Sequence, residues 1–321
     1  MEIHIQERRN LKRKLIYIVL IIFVFTITAC NNKVNKIQEK PVVQETIEKE
    51  LSLSIVTTNK LLYNMVKDIT GDRHSLDYMF TAKDKLWSFN YTEDSINNIS
   101  KRDLFIYWGS GIEPWAADFI NKLTKNKVGT VSISRGIKFI TLHREVKYKE
   151  VSLKENPYFW MNIDDYKIAM LNIKNAVQDK DTKDRDLYEK NFSKAIKEVE
   201  DYEKKLKEAA DKVKDYTFIV DGDELDYFTR YYGFKTLKLN NYGLILTTKE
   251  NEENLKVEEK LKEAKNVVFL YDEEGEFKSN EALINKYNLK TSNIIVYKDD
   301  IKYINILENN LMNLESLIPP Q

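Results

Sequence analysis

Carboxylates are the groups in this chain best placed to do chemistry. Asp221, Asp272 and Asp299 each directly follow a run that reads as a β-strand, and further acids crowd beside them: Asp223 and Glu224, Glu273 and Glu274, Asp300. Brought together, an all-oxygen set of this kind favours calcium, magnesium or manganese over zinc. Carboxylates at strand ends equally cap the helices that follow them and suit helix N-termini. The sequence leaves both roles open. Softer ligands are scarce: the histidines are His4, His74 and His143, and the single cysteine, Cys30, excludes an intramolecular disulfide or a thiolate cluster. There is no nucleophile elbow, phosphate-cradling glycine loop or His–carboxylate motif, and Gly109-Ser110-Gly111 reads as a turn. Nothing here points to an enzyme. With 51 basic and 51 acidic residues the formal charge is zero, so a nucleic-acid partner has no electrostatic support.

The elements that must position these acids alternate between strand and helix. In the first part, Leu51–Val56 and His74–Phe80 read as strands around a helix capped by Thr58 or Asn59 and stopped by Gly71. A polar loop surrounds Lys83-Asp84-Lys85, and a short helix covers about Thr92 to Ser100. Asp103–Trp108 is apolar enough for a strand buried on both faces. Pro114 suits the first residue of a helix to about Leu123, and Val128–Ser132 and Gly136–Leu142 read as strands. In the last part, Tyr216–Val220, Lys235–Leu239, Asn266–Tyr271 and Asn293–Tyr297 read as strands. Helices are expected at Glu224–Tyr232, Asn251–Ala264, near Asn280–Tyr287, and from about Asp300. Such alternation predicts an α/β fold: two lobes with mostly parallel sheets flanked by helices. Sites in such sheets lie beyond the carboxyl ends of the strands.

Between the two parts runs Asp184–Val213, without Gly or Pro. Apolar residues recur at Tyr188, Phe192, Ala195, Val199, Tyr202, Leu206, Ala209 and Val213, one stripe along a long helix. It reads either as one arm of a coiled coil or as a single spine helix joining the lobes, and an α/β half on each side favours the spine. The lobes are then residues 51–183 and 214–321, linked by 184–213.

The N-terminus has its own logic. Arg8, Arg9, Lys12, Arg13 and Lys14 precede fifteen uncharged residues, Leu15 to Ala29, the basic and apolar regions of a secretory signal. The run is short of the roughly 20 residues a permanent span needs. It ends in Ile27-Thr28-Ala29-Cys30, which resembles a bacterial lipobox. That resemblance implies a signal peptide at 1–29, cleavage before Cys30, and a diacylglyceryl group on its sulfur. Residues 30–50 then read as a lipidated, polar tether, and the protein as extracytoplasmic and lipid-anchored to the bacterial cell membrane.

A wider resemblance rests on several segments. Thr57–Phe80 (TTNKLLYNMVKDITGDRHSLDYMF), Ser100–Leu104 and Gly111-Ile112-Glu113-Pro114-Trp115 resemble the first lobe of the zinc/manganese ABC-transporter substrate-binding proteins. Asn156-Pro157-Tyr158-Phe159-Trp160-Met161 stands where that family has Asp-Pro-His-x-Trp-Leu. Tyr188–Asn191 resembles the start of its linking helix, Tyr227-Phe228 and Tyr232-Gly233 its paired motifs, and Asn309-Asn310-Leu311 its terminal helix. The likeness covers nearly all of residues 51–318. It implies a monomeric extracytoplasmic binding lipoprotein that delivers a divalent metal, zinc or manganese, to an ABC permease and ATPase. The cargo would sit in the cleft between the lobes, held by two or three imidazoles and one or two carboxylates. On that pattern the three imidazole positions fall at Trp87, Tyr158 and Gly222, the glutamate at Tyr271, and only the late aspartate is kept, at Asp299. Neither His74 nor His143 lies at a ligand position. Trp87 and Tyr158, with Trp160 and Tyr271, could stack on an organic or cationic ligand or pack the cleft shut. The expectation is therefore a family scaffold whose ordinary zinc ligands are largely replaced, or a relative that binds a non-metal ligand or acts as a surface interaction protein.

Overall fold

The computed structural model describes residues 52–109, 111–124, 127–148, 151–240 and 248–319; the expected signal peptide, Cys30 and the tether lie outside the described residues. The first lobe opens with β1 (Ser54–Asn59), whose last five residues are all buried. Asn59 caps α1 (Lys60–Thr70) by accepting from the Leu62 N–H at 2.9 Å, and Gly71, at φ 56°, ends the helix. There follow β2 (Ser75–Phe80), the short α2 (Lys85–Ser88), and α3 (Glu93–Ile99), which Thr92 and Ser95 start with a capping box. Next come β3 (Leu104–Tyr107), α4 (Ala116–Thr124) and β4 (Gly129–Ser132). Strands pair in parallel in the order β2-β1-β3-β4.

Some expectations shift. The helix at Pro114 begins two residues later, because the Ala116 N–H closes a turn on the Glu113 carbonyl at 2.8 Å. The strand expected at Gly136–Leu142 is β5 (Thr141–Tyr148), paired antiparallel with β6 (Val151–Glu155), an unanticipated hairpin. A 3₁₀ turn (Phe159–Met161) leads into α5 (Ile163–Lys180), also not foreseen.

The spine is α6 (Arg185–Lys212), 28 residues long, or about 42 Å at 1.5 Å per residue. It packs on α1 and α5 of the first lobe, and its stripe buries Tyr188, Val199, Leu206 and Ala209. Tertiary neighbours thus cover the face that a coiled coil would give to a partner helix. Glu203 is buried on the same helix, and its carboxylate accepts from Lys167 at 2.6 Å and from Lys207 and the Tyr231 hydroxyl at 2.5 Å each. Burial alone would raise its pKa, yet these three donors hold it down at about 2.

The second lobe contains β7 (Thr217–Asp221), α7 (Asp226–Tyr231), β8 (Lys235–Leu239), α8 (Thr248–Glu263), β9 (Val267–Tyr271), α9 (Glu274–Ser279), α10 (Glu281–Tyr287), β10 (Lys290–Asn293) and α11 (Tyr303–Glu315). Its strands are parallel in the order β10-β9-β7-β8, and α11 returns to pack on α6. The last strand ends earlier than expected. Beyond Asn293, the Ile295 N–H bonds to the Asn310 side chain and the Val296 N–H to the Asp272 carboxylate, each at 2.8 Å, so side chains replace the ladder there. One core of buried residues runs through both lobes, with a satellite around Ile219, Leu239, Phe269 and Leu283 in the second sheet. Among the described residues, no helix is long and apolar enough to cross a membrane.

Candidate functional site

The C-terminal ends of the strands of both lobes converge on one region, and the loop after β2 supplies much of it. Trp87 sits on α2, whose Leu86 carbonyl accepts from the Trp115 indole at 2.9 Å. Tyr158 follows Pro157. Its N–H donates to the Asn156 side-chain oxygen at 3.0 Å, and the Asn156 amide reaches across to the Asp223 carbonyl at 2.6 Å. Tyr158 is buried, which pushes its phenol pKa up. Trp87 is half-buried and meets the Tyr158 ring edge-to-face at 5.9 Å, while Trp160 meets the same ring at 5.6 Å. The rings of Trp87, Tyr158 and Trp160 thus pack against one another.

They also receive a cation from the chain itself. The Lys83 ammonium lies 5.1 Å from the Tyr158 ring centroid, 2.7 Å from the Asp272 carboxylate and 3.0 Å from that of Glu273. Asp272 directly follows β9, and its other oxygen accepts the Val296 N–H at 2.8 Å. Burial works against the charge on Lys83, but Tyr158 and the two carboxylates outweigh it and raise its pKa. Lys83 and Tyr158 belong to the first lobe and Asp272 and Glu273 to the second, so the ammonium is a tie across the cleft. Three hydrogen bonds run beside it: the Trp160 indole to the Val296 carbonyl at 2.9 Å, the Tyr303 hydroxyl to the Trp160 carbonyl at 2.7 Å, and the Tyr297 hydroxyl to the Thr81 carbonyl.

The three aspartates expected as metal candidates do not form a common site. Among the described residues, no group of three or more His, Cys, Asp or Glu side chains could hold a metal ion. Asp221 is the last residue of β7 and accepts from the Asn280 amide at 3.0 Å. Asp272 is taken by Lys83. Asp299 is exposed, and because β10 ends at Asn293 it does not follow a strand. Of the other matched positions, Gly222 is buried with φ 117°, a conformation that side chains rarely adopt. Tyr271 ends β9, half-buried against Phe277 at 5.2 Å. The structure thus joins Trp87 with Tyr158, sets Asp223 beside Gly222 in the same wall, and leaves Asp299 apart.

Three residues have roles that their sequence context does not disclose. Lys83 looks like one more charge in a polar loop; the signal was a lysine four residues before Trp87. Glu113 is fully buried, accepts the Trp108 N–H at 2.8 Å, and burial pushes its pKa up to about 8, so it holds the Gly109–Trp115 turn as a neutral acid at pH 7. Glu155 ends the unforeseen β6. With Trp87, Gly111, Ile112, Tyr158, Asp223 and Glu224 it lines a cavity of about 90 Å³.

Two-lobed scaffolds of this form occur among solved proteins. The model of the family of zinc-uptake complex component A, periplasmic, matches residues 55–317. The chain belongs to this family. A metal ABC transporter substrate-binding lipoprotein of Lactococcus lactis is 24% identical over 190 residues, covering 58% of this chain and 56% of its own length. The manganese ABC transporter substrate-binding lipoprotein PsaA of Streptococcus pneumoniae is 30% identical over 146 residues, 44% of this chain and 46% of its own. The matches span about half the length of these curated relatives. In three dimensions the metal-dependent lipoprotein YcdH of Bacillus subtilis superposes with a TM-score of 0.69 at 21% identity, covering 84% of this chain and all of its own. In this chain the cleft holds the Lys83 ammonium against the Tyr158 ring and the Trp87–Tyr158 pair.

Proposed function

We propose that the chain is the extracytoplasmic, lipid-anchored substrate-binding component of an ABC importer, and that its cleft does not take zinc through the imidazole ligands usual in its family. In this reading residues 1–29 are a signal peptide, Cys30 carries the lipid, and 30–50 are the tether. Residues 51–183 and 214–321 are the lobes and 184–213 the link. An ABC permease and ATPase are its partners, a monomer its working form, and binding rather than catalysis its task. Family membership supports the transport role. The observation that carries the reading of the site is Lys83, whose ammonium rests on Asp272 and Tyr158 where the family resemblance calls for cargo and ligand. A monocation fixed there disfavours a second cation at the same carboxylate by direct repulsion.

Calorimetric titration of the chelator-treated full chain in mild detergent tests this. Zinc and manganese are expected to bind weakly, and chelator treatment to leave the melting temperature unchanged. Sub-micromolar zinc binding overturns the reading of the site. A second reading, a relative that binds a non-metal ligand or serves as a surface interaction protein, is favoured by the mostly apolar cavity beside Trp87. Recovery of a bound organic molecule by native mass spectrometry would support it.

A further inference from the structure

We propose that residues 81–92 are a strap across the cleft, with Lys83 as its latch and Trp87 as the gate of the cavity behind it. This rests on reading the chain as a substrate-binding component. The strap joins β2 to α3, and its two halves are held by different lobes. The first half is fastened to the second lobe: the Thr81 carbonyl accepts from the Tyr297 hydroxyl, and the Lys83 ammonium reaches Asp272 at 2.7 Å and Glu273 at 3.0 Å. The other half is pinned to the first lobe. The Trp115 indole donates to the Leu86 carbonyl at 2.9 Å, the Phe89 ring lies 5.0 Å from that of Trp115, and the Tyr91 hydroxyl donates to Asp118 on α4.

Little in the strap itself resists movement. Within residues 81–92 only Leu86 is buried. Its helix α2 is four residues long, and no side chain caps it; that is well short of the roughly 12 residues a helix needs to hold itself. Its backbone bonds close local turns, Leu86 N–H to the Lys83 carbonyl and Ser88 N–H to the Asp84 carbonyl, both at 3.1 Å. Segments with so few buried apolar contacts open at lower free energy than the sheets they connect. The two ends are firm: Phe80 on β2 is buried, and Thr92 starts α3 with its capping box. Movement is thus confined to the stretch between them.

Trp87 couples the latch to the cavity. Its ring meets that of Tyr158 edge-to-face at 5.9 Å, and both rings line the cavity of about 90 Å³. Lys83 lies against the same Tyr158 ring, 5.1 Å from its centroid. When the ammonium leaves Asp272 and Glu273, the strap keeps one hydrogen bond to the second lobe among the described residues, Tyr297 to Thr81. Trp87 then turns out of the cavity about the Leu86–Trp115 pin, and the cavity opens to solvent. Access to the cavity is set by an ion pair within the chain.

Tryptophan fluorescence tests this without any ligand. The other tryptophans, Trp108, Trp115 and Trp160, are buried, so acrylamide quenching of the full chain in mild detergent, less the same titration of Trp87→Phe, isolates Trp87. Lys83→Met is expected to raise its quenching constant roughly twofold or more. Tyr297→Phe, which frees Thr81, should act in the same direction by less. Lys83→Arg, which keeps a cation on the two carboxylates, should stay near wild type. Each variant is compared at a temperature well below its own melt. The proposal is overturned if Lys83→Met leaves the Trp87 constant unchanged, or if Lys83→Arg raises it as much as Lys83→Met does. It is equally overturned if the three buried tryptophans gain accessibility by the same factor, since the lobes would then be parting as a whole. An unchanged Trp87 removes the strap alone; tight zinc binding by the wild type instead removes the reading of the site on which it rests.

Discussion

Replacing Lys83 with methionine should loosen the two lobes, and the size of the effect follows from what the ammonium touches. Its side chain is 17% exposed and that of Asp272 only 2%, so the variant strands a carboxylate in a nearly dry place. Removing one partner of a buried pair costs roughly 3–5 kcal/mol. The low end applies, because Asp272 keeps the Val296 N–H at 2.8 Å and the methionine stem still covers the Tyr158 ring. A loss of about 3 kcal/mol corresponds to a fall in melting temperature of roughly 6–12 °C for a body of this size. Thermal melts of wild type, Lys83→Met, Asp272→Asn and the double variant complete a cycle. A coupling of at least about 1.5 kcal/mol is expected, with the double variant more stable than Lys83→Met. The lobes of Lys83→Met should also scatter X-rays as a more open pair. The reasoning fails if Lys83→Met melts within about 2 °C of wild type, or if the two single effects simply add.

Three further outcomes follow. His74 is buried; its Nδ1 accepts the Leu53 N–H, and its Nε2 faces the Tyr188 hydroxyl at 2.8 Å, which in turn donates to Asp181 at 2.6 Å. Burial lowers its pKa, so the folded state holds it neutral while the unfolded state binds a proton below about pH 6.5. The stability of wild type relative to His74→Gln should therefore fall as pH drops below that point; the difference is the readout because Asp68 and Asp165, raised by burial to about 6, act in the opposite sense. A pH-independent difference would discard the assignment. Glu203→Gln should cost about 2 kcal/mol in urea unfolding near neutral pH, and the penalty should vanish as acid titrates the wild-type carboxylate from its unfolded range near 4.3 down toward about 2. Gly222→His, which places an imidazole where the resemblance implies one, should lose about 1–3 kcal/mol to backbone strain at φ 117° and gain no zinc in the titration; tight zinc binding by this single variant would contradict the proposed reading of the cleft.

Much of the scaffold was legible because it is written in local chemistry. The 3.5-residue rhythm of Asp184–Val213, the cap at Asn59 and the apolar Leu104–Tyr107 run each specify an element by themselves. What was not legible depends on partners distant in sequence. The β5–β6 hairpin pairs strands whose polar faces hide their alternation, and residues 294–297 look like a strand but bond to Asp272 and Asn310 side chains instead. The site divides the same way. Alignment to family positions located Trp87 and Tyr158, which do meet, but Lys83 became visible only when its loop was set against β9, 189 residues further on.

That separation bears on how the cleft changed character. The resemblance implies imidazoles holding a divalent cargo, and the proposed reading puts Trp87 and Tyr158, which cannot ligate a metal usefully, at two of those positions. Left without a counter-charge, the buried carboxylate of Asp272 would oppose closure of the lobes. Lys83 removes that difficulty from within the chain. It supplies one positive charge to the carboxylate, lays it against the Tyr158 face, and ties the β2 loop to the end of β9. The tie joins the two lobes through groups of the chain itself.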